Sequence, residues 1–111
     1  MSFVAEQCFA ILRKRWVLEG ADSDLGLWWV ADDVRQCLGA DATEDEVRTA
    51  TLDALRPLLE SGRLRAVTLR DGGAFELWSG VVEHQLARVS EGWRAVGVPG
   101  IGDVVWFIGR R

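Results

Sequence analysis

Histidine and cysteine are scarce in this chain: His84 stands alone, and Cys8 and Cys37 lie far apart with no CxxC pair. A structural zinc site collects four such ligands at short spacings, so metal ligation is poorly supported and no cofactor is expected. No serine or cysteine stands with His84 in a triad-like motif. His84 also falls off the apolar stripe of its segment, two residues from Val82, which makes it an exposed polar residue rather than a general base. The glycine pair Gly100-Ile101-Gly102 precedes a strand-like run and lacks the helix N-terminus on which dinucleotide sites depend. The expectation is a protein that is not an enzyme.

Long apolar runs are also missing. No stretch approaches the roughly 18 residues of a membrane span, and Met1-Ser2-Phe3-Val4-Ala5-Glu6 lacks the basic start and apolar run of a secretory signal. A cytoplasmic protein with no membrane partner is therefore expected. In that setting Cys8 and Cys37, each within an apolar helical pattern, read as buried free thiols, with a disulfide or a reactive nucleophile as alternatives. Lysine is nearly absent: of 13 basic residues only Lys14 is not arginine. The codon usage of a GC-rich bacterial genome produces such a bias, and no mechanism follows from it.

What remains is ordinary for one globular domain over residues 1–111, with 49% hydrophobic and 27% charged residues. Val4, Cys8, Ile11, Leu12 and Trp16 recur as an amphipathic stripe and predict a helix over about 3–18. Gly20, Asp22-Ser23-Asp24 and Gly26 read as a loop. Leu27-Trp28-Trp29-Val30 follows as a short strand, and Ala31–Leu38 as a second helix stopped by Gly39. Thr43-Glu44-Asp45-Glu46 has the form of a capping box and opens a third helix over about 44–61, kinked by Pro57. Segments 64–70 and 74–78, joined by Asp71-Gly72-Gly73, predict a two-stranded wing. Ser79 is placed to cap a fourth helix through Val82, Leu86, Val89, Trp93 and Val96. The run 104–108, apolar on both faces, predicts a buried strand. This order is that of an α+β, winged helix-turn-helix-like domain with a helix and a strand appended.

Charge is distributed unevenly along this order. Between Glu19 and Glu46 lie nine acids against the single base Arg35, a local net of −8 in a chain whose total is −4. The third helix carries two bases against five acids over 44–60. In a winged helix that element would enter the major groove, where its acids repel phosphate, so no nucleic-acid partner is expected. The bland alternative is that these acids complement the helix dipole and solvate an exposed face. Arg13-Lys14-Arg15 with Arg63, Arg65 and Arg70 are the only candidates for a phosphate patch. A polarised acidic face speeds encounter with a basic partner. The candidate contact residues are Asp22, Asp24, Asp32, Asp33, Asp41, Glu44, Asp45 and Glu46, with Trp28 or Trp29 as an aromatic anchor unless both rings are buried.

Phe75-Glu76-Leu77-Trp78, then Arg88 and Trp93, then Gly102-Asp103-Val104-Val105-Trp106-Phe107, form a series that resembles small bacterial immunity proteins of polymorphic or contact-dependent toxin systems. The likeness covers roughly residues 64–108 and does not reach the acidic segment. It implies a cytosolic inhibitor that binds a toxin domain, often a nuclease, and blocks its active site or a neighbouring surface. The expectation is thus a protein-binding domain whose partner is a basic toxin domain. A transcriptional regulator or degenerate winged-helix scaffold, pairing as a homodimer through its first or fourth helix, is the alternative.

Overall fold

A computed structural model describes residues 3–109, an α+β fold in which four helices pack with a four-stranded antiparallel sheet. Helix α1 spans Phe3–Asp22. Its buried stripe is Ala5, Phe9, Leu12 and Trp16, and Val4 and Ile11 point outward at 73% and 64% exposure. Leu12 and Trp16 of the expected stripe face inward, while Ala5 and Phe9 take the inner positions expected of Val4 and Ile11. Apolar residues occur on both sides of α1, so periodicity alone could not choose the inner face. Gly20 does not end the helix; it lets the last turn press against the sheet. A Cβ there would meet Leu64 Cδ2 at 2.8 Å, and one on Gly109 would meet the Gly20 carbonyl oxygen at 2.8 Å.

The expected strand over 27–30 is absent. Strand β1 is Leu25–Gly26 alone, and helix α2 begins at Leu27 and runs to Leu38. Leu27, Val30, Ala31 and Val34 are buried at i, i+3, i+4 and i+7, one helical stripe that overrides the β preference of Trp and Val. Cys8 and Cys37 form a disulfide between α1 and α2, with Cα atoms 5.8 Å apart, which replaces the expected free thiols. The packing of the two helices brings the cysteines within bonding range, a proximity that spacing along the chain cannot disclose.

Helix α3, Glu44–Glu60, begins as expected: the Glu46 amide donates to Thr43 Oγ1 at 3.1 Å and the Thr43 amide to Glu46 Oε1 at 3.0 Å. Strands β2, Leu64–Leu69, and β3, Phe75–Leu77, form the hairpin, turned through Gly72 and Gly73 at positive φ. Helix α4 is Val82–Val96. Its N-cap position is Val81 rather than Ser79, because Gly80 at φ 93° turns the chain and leaves Ser79 outside the first turn. Leu86, Val89 and Trp93 are buried, whereas Val96 at the helix end is exposed.

Strand β4, Trp106–Gly109, lies inside the sheet, whose order is β1-β4-β2-β3. It pairs Phe107 with Leu25 on one side and with Ala66 on the other. Phe107 and Ile108, which point to opposite faces of the sheet, are both buried, which is why this run is apolar on both faces. Trp16, Leu27, Leu55, Trp93 and Phe107 are fully buried in one cluster to which all four helices and the sheet contribute. Each such side chain contributes on the order of 1.5–3 kcal/mol. Among the described residues no helix is long and apolar enough to cross a membrane.

Candidate partner-binding surface

The fold divides the acidic segment by the contacts its carboxylates make. Asp33, with its side chain only 12% exposed, accepts the Trp16 indole N–H at 2.9 Å and pairs with Arg15 at 2.9 Å, tying α2 to α1. Glu44 accepts two hydrogen bonds from Arg35, at 2.8 and 3.0 Å, and the Trp93 indole N–H at 2.7 Å, so it joins α2, α3 and α4. Glu46 closes the capping box, where the Thr43 amide and then its hydroxyl hold the carboxyl below its ordinary pKa. These three carboxylates hold contacts within the fold, and of them Glu46 also stands exposed.

The remaining acids differ in how far they are neutralised. Asp45 is exposed but paired with the buried Arg48, and Asp32 is exposed and paired with Arg35 at 2.6 Å. The segment holds one base in sequence, yet Arg15 and Arg48 reach it from outside, so the linear count overstates its field. Asp41 is exposed in the turn between α2 and α3. That turn lies beyond the far end of α2, nine residues or about 14 Å of helix after Trp29. Asp41, Asp45 and Glu46 therefore do not converge with Asp22 and Asp24.

What does converge is a corner built from the end of α1, β1 and the start of α2. Glu19, Ser23, Asp24, Gly26, Trp28 and Trp29 line a depression of about 270 Å³ there. Trp28 is half-buried and stands edge-on to Trp106, with ring centroids 5.0 Å apart at 86°. Its ring covers Gly26 so closely that a Cβ would lie 1.6 Å from Trp28 Cζ3. Trp29, the next residue on α2, turns away from this stack and is 50% exposed. Asp22 is exposed on the last turn of α1, and Asp32 lies one helical turn beyond Trp29. The corner thus offers an exposed indole beside the carboxylates of Glu19 and Asp24, suited to a cationic side chain through both charge and the ring face.

Sequence reasoning missed two contributors. Glu19 belongs to this corner, although Arg15 pairs with it at 3.2 Å, and Trp106 fixes Trp28 from across the sheet. Of the residues that carry the resemblance, Trp78, Trp93, Val105 and Phe107 are buried framework, whereas Glu76 and Leu77 are exposed. Trp78 donates to Thr68 Oγ1 at 2.8 Å with the Arg88 guanidinium 3.8 Å over its ring, and Trp93 and Phe107 are fully buried. Of the phosphate-patch candidates, Arg15 is committed to carboxylates and Arg70 pairs with Glu76 at 2.8 Å. Among the described residues no group of three or more His, Cys, Asp or Glu could hold a metal ion. Comparison with protein-family models, with curated proteins and with solved structures gives no match to this chain.

Proposed function

We propose that this domain works by occupancy, as a toxin-neutralising immunity protein whose acidic, aromatic corner seats on a basic surface of its target. One observation carries the reading: Trp29 is half-exposed at the start of α2 and lines a depression with Glu19 and Asp24, with Asp32 one helical turn beyond it. A large exposed aromatic at such a position is a strong interface anchor, and the surrounding carboxylates steer a basic partner toward it. A nuclease domain, which must bind phosphate, carries that kind of basic surface. Inhibition then requires only that the corner cover it.

The winged-helix reading rests on the order helix, strand, helix, helix, strand, turn, strand, with α3 in the place of a reading helix. The outward residues Asp45, Glu46 and Asp53 of α3 favour use of this scaffold against protein rather than DNA. Submicromolar, sequence-dependent binding to duplex DNA near physiological salt would favour the regulator instead. The cytoplasmic setting competes with the Cys8–Cys37 bridge, because disulfides persist in oxidising compartments. Trapping the native thiol state with a blocking reagent decides that point.

Affinity capture with paired baits tests the function. The wild-type chain is expected to retain a basic protein whose nuclease activity it inhibits, and Trp29→Ala with Asp22→Asn to lose it. Equal retention by both baits would overturn the reading.

A further inference from the structure

The outward side of α1 carries a second apolar line. Val4, Ile11 and Leu18 recur every seven residues and alternate with Gln7 and Lys14, the spacing of a coiled-coil seam. Leu18 is 71% exposed, and the line extends about 21 Å along the helix. Beside its C-terminal half lies a groove of about 680 Å³ between α1 and the end of α3, floored by Val17, Leu18, Pro57 and Leu58. Arg13, Lys14 and Arg63 border it.

These cations differ from most of the others. Arg15, Arg35, Arg48, Arg56 and Arg70 are paired with carboxylates, and Arg88 lies over Trp78. Arg13, Lys14 and Arg63 form no ion pair among the described residues. Arg13 also borders a smaller depression with Glu6 and Asp53, so Lys14 and Arg63 carry the charge argument most cleanly. In a chain with a net charge of −4, uncommitted cations thus frame an apolar groove.

We propose that the groove between α1 and the end of α3 docks an acidic amphipathic helix presented by a protein partner. A helix lying along α1 would place anchors at i, i+3 or i+4, and i+7 on the Ile11–Leu18 line and the groove floor, with its flanking carboxylates beside Lys14 and Arg63. The length of the line exceeds what a small amphiphile would cover. A second copy of this chain fits less well: a two-fold pairing would bring the same cations together from both sides. The site uses none of the residues of the Trp29 corner, so the two readings stand or fall separately.

The test uses fluorescence anisotropy of a stapled 21-residue helix with Leu at the anchor positions and Glu flanking them, titrated with the full chain. The Glu helix is expected to saturate, to weaken about tenfold or more with Lys14→Glu and Arg63→Glu, and to weaken as salt is raised. Leu18→Asp should weaken it comparably, and Trp29→Ala should leave it unchanged. A matched helix with Lys in place of Glu should bind about tenfold or more weakly. Far-UV circular dichroism of each variant confirms folding, and the salt series on the wild type carries the charge test should a variant not fold. No saturation, equal binding of the Lys helix, or indifference to salt would overturn the proposal. A dimer in sedimentation that Leu18→Asp dissociates would assign the groove to a second copy. Lys14-dependent flotation with phosphatidylglycerol vesicles would assign it to a membrane surface; either result would also overturn it.

Discussion

The Trp93 indole N–H on α4 meets the Glu44 carboxylate on the first turn of α3 at 2.7 Å, a contact between residues 49 positions apart. Trp93 is fully buried, so its N–H has no recourse to water if the acceptor is removed. Glu44→Ala is therefore expected to destabilise the fold by about 1–3 kcal/mol, and Glu44→Gln, which keeps an acceptor, by less. Urea unfolding measures both. An unchanged midpoint in Glu44→Ala would return this residue to the list of surface acids.

The Cys8–Cys37 bridge closes a loop with a sequence separation of 29 that contains most of α1, β1 and α2. Replacing both cysteines with serine should lower stability by about 3–4 kcal/mol, the loop-closure entropy that the crosslink removes from the unfolded chain. Thermal unfolding with and without a reductant should show the same loss in the wild type and none in the double variant. A reductant-insensitive wild type would mean that the bond contributes nothing to the fold.

Glu46 gives the fold an acid-sensitive point. Its folded pKa is depressed by the hydrogen bonds from Thr43, so its contribution is complete above the ordinary glutamate range, about pH 4.3, and is lost as pH falls through the lower folded value. Glu46→Gln keeps the capping geometry without the titration. The stability advantage of wild type over Glu46→Gln should therefore shrink between about pH 5 and pH 3. An advantage that grows with acid would have the wrong sign. Thr43→Ala, which removes the other half of the box, should cost about 1 kcal/mol at neutral pH.

Local signals in the sequence were legible where the physics is local. The Thr43–Glu46 box and the Asp71-Gly72-Gly73 turn act within a few residues and mark the elements found there, and the doubly apolar run 104–108 marks a strand that begins only at Trp106, because Val104 turns the chain at φ 69°. The misreadings share the opposite property. Which side of α1 faces inward depends on what packs against it, since Val4 and Ile11 are as apolar as Phe9 and Leu12. Leu27–Val30 reads as a strand until Ala31 and Val34 are counted in the same stripe. The acidic segment looked uniform because carboxylates are alike in a linear count. Their roles are set by Trp16, Trp93, Arg15 and Arg48, which reach them through the fold. Of the candidate residues, Asp24 and the two tryptophans line one depression, with Asp32 a helical turn beyond Trp29.

The most direct test of that surface is the association rate with the captured basic partner, followed by stopped flow across a salt series. Asp22→Asn with Asp32→Asn spares Asp33, Glu44 and Glu46, so it changes charge without cutting the struts. Steering by such a surface is worth roughly 10 to 1,000-fold in rate at low salt. The account predicts a slower association for this variant and a shallower dependence on salt, with Asp41→Asn as a control that keeps the wild-type rate. Wild-type rate and salt slope in the double variant would contradict it and leave the corner a solvated surface.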